Sequence, residues 1–593
     1  MNSEKQDDEW EPAGGIDYRE TFCLLFRFVL SEKYSFAAAF AWLILSVAFS
    51  LLTPVIARHI IDAAIPSRDM VRLSLAVAGL LLNSLFFLWT NYLLRMRLVE
   101  TGQRIMRELK KEMLEKLLSL DMRFHSENTV GQLTARVQAD PAALYELFTA
   151  TAVNIFRDVI MFAATFGIMF YFSPRLASLL LALSPLVVAA AAVFLRRSSS
   201  LFVDVRRLTG DLSGFLTEHL SAVGVLQCYG REEMAALRLE KLNGRKFSAE
   251  LKAETMMLLF FLSVILVNPL AVAMTLGVGG RWMLAGEFTL GTLVMFLLYI
   301  GKLFDPVFSI SEHIGVIQRA FSSGHRIQSL LKLRPAIVDP VSPRPAGSVR
   351  EGIEFRDVWM RYAPEAPWVL KGVSFTLRKG KALAVVGETG GGKTTLSNLL
   401  LRFYEPEKGE ILLDGTAISG IKLSSLRGTI GLVPQDVHLF PGTVMQNLKL
   451  MDESVPDAKV HAAIAAAGLE RFFARHPLRK LIADRGHNLS AGEKQVIALV
   501  RALVGEHDVI VFDEATSQLD PRTERLICAA MQRLGRTKTL MLIAHRLSTI
   551  RHAEEILVLS GGEIKETGTH ADLLCRGGHY AKLHELQHGK EAS

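Results

Sequence analysis

The sequence predicts two architectures in series on one chain: an α-helical membrane domain of six transmembrane helices, then an α/β domain. Three observations carry this. Half of the 593 residues are hydrophobic, 21% are charged and the mean hydropathy is +0.27, which is too apolar for an ordinary soluble multidomain protein. The long apolar runs crowd the first half of the chain. From about Arg350 the pattern changes to short β-branched runs, glycine turns and helical stretches, the signature of alternating strands and helices. The expected division is residues 1–335 for the membrane domain with an N-terminal interfacial helix and long cytoplasmic loops, 336–350 for a linker and 351–588 for the α/β domain.

The net charge of +7 does not point to nucleic acid, because the basic residues gather in polar stretches between apolar spans, as a positive-inside bias requires. Cys23, Cys228, Cys528 and Cys575 are far apart and lack the spacing of metal sites, so they read as reduced thiols. Met1 to Gly15 is acidic and polar, without the basic flank and apolar core of a cleavable signal. No cleavage is expected there, nor a leader-processing protease domain before Tyr18.

A membrane-crossing helix needs about 20 apolar residues, since backbone polar groups in hydrocarbon must be satisfied within the segment. Six stretches qualify: Phe36 to Ile61, Leu73 to Leu94, Val153 to Phe172, Leu176 to Leu195, Met256 to Val278 and Leu290 to Ile310. Ahead of them, Tyr18 to Leu30 mixes aromatics and leucines with Arg19, Glu20 and Arg27, which suits a helix lying in the interface. The connections Arg95 to Thr151 and Arg196 to Thr255 are long and rich in Lys and Arg, so both are expected on the cytoplasmic side with both termini. Neither has the apolar residues for its own core. They read as helices running out of the membrane, with turns near Asp121 to Asn128 and Tyr229 to Met234 placed to touch a cytoplasmic domain.

Within the spans, Lys302 with Asp305 and Arg157 with Asp158 are candidates for lining a substrate pathway, because intramembrane charges face cavities or partners. Pairing on one helix face, or a position near an interface, is the plainer alternative. Pro54, Pro269 and Pro306 are expected to kink their helices.

In the second half, Leu383 to Val386 reads as a buried strand running into Gly387-Glu388-Thr389-Gly390-Gly391-Gly392-Lys393-Thr394-Thr395 and then a helix. This is a phosphate-binding loop in its strand-loop-helix context. Its glycines let backbone N–H groups curl round phosphates, Lys393 neutralises the outer phosphates, and the Thr394 hydroxyl can ligate magnesium. Val509 to Phe512 is a second apolar strand, ending in Asp513 and Glu514. Asp513 is expected to hold magnesium and Glu514 to act as general base on the attacking water. A strand-end salt bridge is the alternative for one carboxylate, but ligands of open α/β sheets bind outside the carboxyl ends of strands.

With these on the page, Leu489-Ser490-Ala491-Gly492-Glu493 resembles the signature of ABC transporters, usually Leu-Ser-Gly-Gly-Gln. Ala491 and Glu493 depart from it, while Ser490 and Gly492, which by resemblance contact the γ-phosphate, are retained; Gln495 also fits the pattern. Other matches follow in family order. Tyr362 resembles the adenine-stacking aromatic, Gln435 the Q-loop glutamine with a place at the magnesium, Ser517 to Asp520 the D-loop, and His545 the switch histidine. The whole chain resembles exporter-type half-transporters, which makes the α/β domain a P-loop ATPase.

The resemblance implies ATP and magnesium as cofactors, with ATP held between Lys393 of one protomer and Ser490 of a second half-transporter, identical or different. It implies ATP-driven export or flipping of a drug, lipid or peptide of hydrophobic or amphipathic character, from a plasma or bacterial inner membrane with the ATPase domain in the cytoplasm. An importer of the same build, for example for a metal chelate, and an ATP-gated channel or regulatory membrane ATPase are the alternatives.

Overall fold

The computed structural model describes residues 18–514, 520–544, 550–551 and 553–588. The chain divides into two compact units, Met1–Leu118 with Val130–Leu333, and Ser119–Thr129 with Arg334–Ser593.

The first unit is helical. A helix covers Tyr18–Ser31, followed by Lys33–His59 with a π turn at Ile60–Ala64, then Met70–Ser119. Val130–Glu146 passes through another π turn, Leu147–Thr151, into Ala152–Phe172. Pro174–Leu181, Ser184–Ser221, Val223–Cys228, Glu232–Met274 and Leu290–Lys332 complete the set of longer helices. Among the described residues, four helical stretches are long and apolar enough to cross a bilayer: Lys33–Ala64, Met70–Ser119, Val130–Phe172 and Glu232–Leu284. Shorter apolar helices lie at Pro174–Leu186 and Leu290–Leu303, so each of the six expected stretches carries helix. Met70–Ser119 has 50 residues and is therefore about 75 Å long, more than twice the roughly 30 Å hydrocarbon core. Its charged half runs past that thickness, and Leu98, Ile105, Met106, Leu109, Met113 and Leu117 are buried along it. Ser184–Ser221 and Glu232–Met274 likewise run along each other, with Phe194 stacked on Phe260 at 4.5 Å.

Pro54 lies inside the first spanning helix. Having no N–H, it leaves the carbonyl of Ser50 without its helical donor. The ammonium of Lys302 supplies one, donating to Ser50 O at 2.6 Å and Ser50 Oγ at 2.7 Å. Nearby, the buried Tyr299 hydroxyl donates to Leu51 O at 2.6 Å and Asn83 Nδ2 to Phe49 O at 2.9 Å. The proline irregularity is thus satisfied by side chains from two other helices. The side chains of Asp305 and Pro306 fall outside the described residues.

Among the described residues, the second unit has twelve strands: β1 (Gly352–Met360), β2 (Leu370–Arg378), β3 (Ala382–Gly387), β4 (Lys408–Leu413), β5 (Thr416–Ala417), β6 (Ile430–Val433), β7 (Gly442–Thr443), β8 (Leu481–Ile482), β9 (Val509–Asp513), β10 (Thr539–Ile543), β11 (Glu555–Ser560) and β12 (Glu563–Gly568). The main sheet has the order β12-β11-β3-β10-β9-β6, and a four-stranded sheet the order β2-β1-β4-β5. Strands β3, β10, β9 and β6 pair in parallel. Alternation along them fills two cores, since Leu383, Val385 and Val511 face one side and Ala384, Val386, Ile510 and Phe512 the other. Being buried on both faces, these strands read as continuous apolar runs.

The segment Ser119–Thr129 belongs to this unit. Its helix Met122–Glu127 begins at Asp121, whose Oδ1 accepts from Phe124 N at 3.1 Å and whose Oδ2 accepts from Ala336 N at 3.0 Å.

Candidate active site

Parallel pairing puts the carboxyl ends of β3, β10, β9 and β6 along one sheet edge, where α/β sheets bind ligands. The phosphate loop leaves β3, Asp513 and Glu514 close β9, and Gln435 follows β6 in an exposed bend. His545 follows β10, but it lies outside the described residues, as do Ser517, Gln518 and Leu519.

The loop's backbone explains its glycines. Gly392 has φ +95°, and a Cβ there would sit 2.7 Å from Leu370 Cδ2 and 3.0 Å from Val369 O; at Gly387 a Cβ would sit 2.0 Å from Leu559 O. A side chain at either place would push the loop off the sheet edge. Gly391 N donates to Glu388 O at 3.1 Å, which closes the turn, while Glu388, Thr389 and Gly390 form its exposed rim. Lys393 opens the following helix, Lys393–Leu400. It is 4% exposed, and its ammonium donates to Gly387 O at 2.9 Å and Glu388 O at 2.8 Å. Burial pushes its amine below the usual lysine value, with the charges of Glu514 and Asp513 opposing that shift.

Thr394 Oγ1 donates to Asp513 Oδ1 at 3.4 Å and Ser397 Oγ to Asp513 Oδ2 at 3.2 Å. Asp513 is 5% exposed, and burial raises its carboxyl above the usual aspartate value; Glu514 adds to the rise, while the Ser397 and Thr394 hydroxyls oppose it. Glu514 sits at φ +49°, a left-handed conformation unusual for a side chain of this size and typical of constrained functional positions. Its N–H donates to Ile543 O at 2.8 Å, so β10 holds the turn that presents it. A hard cation wants oxygen ligands, and Thr394 with Asp513 supplies them side by side.

Tyr362 packs edge-on against Tyr404, ring centroids 5.0 Å apart, and its hydroxyl is 3.0 Å from Thr395 Oγ1. The residue is 39% exposed, which leaves room for a planar partner next to the phosphate loop.

Ser490 caps the helix Ala491–Val504 in a reciprocal box, its Oγ accepting from Glu493 N at 3.2 Å and its N–H donating to Glu493 Oε2 at 2.7 Å. Glutamate in place of the usual glutamine therefore keeps the cap and adds a charge. His476 Nδ1 lies 2.8 Å and Lys480 Nζ 3.6 Å from Glu493 Oε1. Burial raises the Glu493 carboxyl, but the Ser490 N–H and Lys480 outweigh it, leaving the net value below the usual one. A Cβ on Gly492 would sit 2.7 Å from Thr523 Cγ2, so glycine there lets the helix meet Pro521–Leu534 closely. Asp520 caps that second helix, accepting from Arg522 N and Thr523 N at 3.1 Å each.

Lys393, Thr394, Asp513 and Glu514 are thus brought together, with Tyr362 alongside through Thr395, while Ser490 is occupied with its own helix. Sequence reasoning misses Ser397 and reads Gln495 only as fitting the signature pattern, without its contact. Ser397, one turn beyond Thr394, steadies Asp513. Gln495, 5% exposed, donates through Nε2 to Pro434 O at 3.0 Å, tying the signature helix to the residue before Gln435. A polar residue on the buried face of an amphipathic helix was the available signal for Gln495.

Such a phosphate loop, two strand-end carboxylates and a capped helix-start motif, joined to bilayer-length helices, define a membrane protein powered by nucleotide. Comparison with known proteins gives the particular family. The ABC transporter transmembrane region matches residues 36–307, and the ABC transporter domain matches residues 370–517. The ATP-dependent lipid A-core flippase of Thiobacillus denitrificans is 32% identical over 96% of this chain and 98% of its own. The probable multidrug resistance ABC transporter ATP-binding/permease protein YheH of Bacillus subtilis is 31% identical over 89% of this chain and 78% of its own. A solved structure of a bacterial Atm1-family ABC exporter with ATP bound superposes with TM-score 0.77 at 28% identity, covering 94% of this chain and 98% of that one. The chain belongs to the ABC transporter family. It binds ATP, and its hydrolysis of ATP is coupled to transport across a membrane.

Proposed function

We propose that the protein is one half of a dimeric exporter that moves or flips a hydrophobic or amphipathic compound by alternating access. The observation that carries this is the pairing, on one chain, of a single phosphate loop and a single signature motif with a single set of membrane helices. ATP held between Lys393 of one protomer and Ser490 of its partner would bridge two ATPase domains only when they are closed, so its binding shifts the dimer toward closure. The turn Ser119–Thr129, already part of the ATPase unit, would carry that movement to the helices Met70–Ser119 and Val130–Glu146. The tip Val223–Cys228 exposes Val225 and, just beyond, Tyr229, and such apolar groups suit a second docking turn on the partner. The domain limits 1–335, 336–350 and 351–588 follow from this reading, with the ATPase domain in the cytoplasm of a bacterial inner membrane.

In the site, Lys393 would neutralise the outer phosphates, Tyr362 stack on adenine and Glu514 take the proton of the attacking water, with Gln435 and His545 beside the γ-phosphate. Glu388 to Gly392 and Thr395 complete the cradle, and Ser490, Gly492 and Asp520 belong to the closing face. Magnesium, which Thr394, Asp513 and Gln435 would hold, supplies charge neutralisation between phosphates.

ATP-dependent uptake of a fluorescent amphiphile by inside-out vesicles containing this protein tests the direction. Export predicts accumulation inside those vesicles that requires ATP; accumulation only in right-side-out vesicles identifies an importer.

The Asp513 carboxyl yields a pH prediction. Only its ionised form ligates a cation, so affinity for magnesium-bound ATP is expected to fall about tenfold per pH unit below its raised pKa. Titrating nucleotide binding against pH checks this, and Asp513→Asn should flatten the profile. For the empty domain the same rise acts with opposite sign. Its contribution to stability is complete below the ordinary value of 3.8 and is lost as pH rises through the folded value.

A further inference from the structure

Glu493, a departure of the signature motif from its usual form, has partners outside its own helix. Its Oε2 accepts from Ser490 N at 2.7 Å, while its Oε1 meets His476 Nδ1 at 2.8 Å and Lys480 Nζ at 3.6 Å. We propose, resting on the dimer reading above, that Lys480 and His476 are positioning residues for the closing face. By holding and neutralising the Glu493 carboxylate they let the γ-phosphate of ATP on the partner reach Ser490, and so set the ATP concentration at which the two ATPase domains close.

The start of a helix carries about half a positive charge, and its free N–H groups suit an anion. In Ala491–Val504 the capping box already occupies part of that end, with Ser490 Oγ accepting from Glu493 N and the Glu493 carboxylate covering Ser490 N. A full negative charge one hydrogen bond from Ser490 opposes a second anion at the same place. The Glu493 side chain is 18% exposed, so water screens that opposition only in part. Lys480 returns a positive charge, and His476 fixes the oxygen that faces it. A carboxylate only accepts, so His476 Nδ1 carries the hydrogen in this contact. The neutral glutamine of the usual motif needs neither partner.

Both partners sit on backbone that is fastened elsewhere. His476 closes the helix Glu470–Arg475, its N–H donating to Phe472 O at 3.0 Å and its ring stacked on that of Phe472 at 4.6 Å. Lys480 N donates to Pro477 O at 2.8 Å, and Lys480 O and Leu478 O accept from Val444 N and Met445 N at 3.0 and 2.9 Å. Strand β8 follows at once and pairs with β7. The turn therefore presents the imidazole and the ammonium at a fixed place beside the signature helix. Ion pairs between freely moving surface side chains contribute little; these are held before nucleotide arrives.

The test uses the full-length dimer in nanodiscs. ATP hydrolysis, and the approach of the two ATPase domains read by energy transfer between fluorophores on the two protomers, are both followed against ATP concentration. Lys480→Met keeps the stem and removes the charge; it is expected to raise the ATP concentration at half-saturation about fivefold, a larger change than in the maximal rate. His476→Phe keeps a ring on Phe472 and loses the N–H, for an expected rise of about threefold. Lys480→Arg should keep the original value. In a Glu493→Gln background, which retains the cap acceptor, either change should shift half-saturation less than about twofold. Glu493→Gln alone should lower half-saturation, because Lys480 then faces the phosphate uncompensated. A purely structural contact gives the opposite, since breaking it from either side loosens the helix start. Equal rises in both backgrounds, or a rise with Glu493→Gln alone, overturn the inference, as does Lys480→Met at the original half-saturation. Domains that approach on ATP addition at a half-point the variants leave unmoved overturn this inference alone; domains that never approach in the unmodified protein overturn the dimer reading as well.

Discussion

Replacing Glu514 by Gln is expected to leave ATP binding within about twofold of the unmodified protein while lowering steady-state hydrolysis by about 100-fold or more, the scale on which a positioned general base contributes. The replacement keeps shape. The turn at φ +49° is fixed by the backbone, through the bond from Glu514 N to Ile543 O at 2.8 Å, so the side chain can change without moving it. What changes is one negative charge. That charge helps raise the Asp513 carboxyl and opposes the downward shift of the Lys393 amine. Its loss therefore makes Asp513 easier to ionise, which favours a cation there, even as the pull on Lys393 weakens. Binding is retained and the proton acceptor is missing. If ATP bridges two protomers, the variant should also accumulate as a closed dimer in ATP, because the step that removes the bridge is slow. Equilibrium nucleotide binding, hydrolysis rate and particle size on the same preparation check all three. Hydrolysis within about tenfold of the original would show that another group takes the proton.

Much of this site is legible in the sequence because its parts are contiguous. Gly387 to Thr395 between an apolar strand and a helix, and Val509 to Glu514 ending on two acids, each state their chemistry locally. The parallel order of β3, β10, β9 and β6 then brings separate runs to one edge, and that order rests on pairings between strands far apart in the chain. Ser397 is not legible, since a lone serine carries no spacing pattern, and Gln495 is legible as part of the signature pattern but not in its contact; their partners, Asp513 and Pro434, are more than 60 residues away. In the membrane domain the apolar stretches give the helices by length and composition. The grouping of Arg95, Arg157 and Lys302 round one cavity is invisible from the sequence, because a single sequence does not say which side of a spanning helix faces lipid. The role of Pro54 is similarly hidden. A proline inside the helix is readable, but its answer, the ammonium of Lys302, comes from a helix some 250 residues on.

Lys393→Ala is expected to weaken ATP binding by about tenfold or more and to lower hydrolysis by about 100-fold. The empty site holds the reason. Lys393 is buried, its charge disfavoured by desolvation and sustained by two loop carbonyls and the nearby carboxylates. Phosphate oxygens entering the loop add negative charge beside the buried ammonium, where an interaction counts for far more than in water. Part of the binding free energy is thus relief of a cost already present in the fold. Removing the ammonium removes that relief and leaves Asp513 and Glu514 facing the phosphates with less positive charge between them. Arginine at this position should not restore activity, because the cradle formed by Gly387 O and Glu388 O at 2.9 and 2.8 Å fits a compact ammonium and not a planar fork. Nucleotide titration and hydrolysis assays on both variants, with melting curves to confirm folding, give the comparison. Full activity in Lys393→Ala would mean that the loop's backbone N–H groups alone carry the phosphates, and that the buried charge serves the fold.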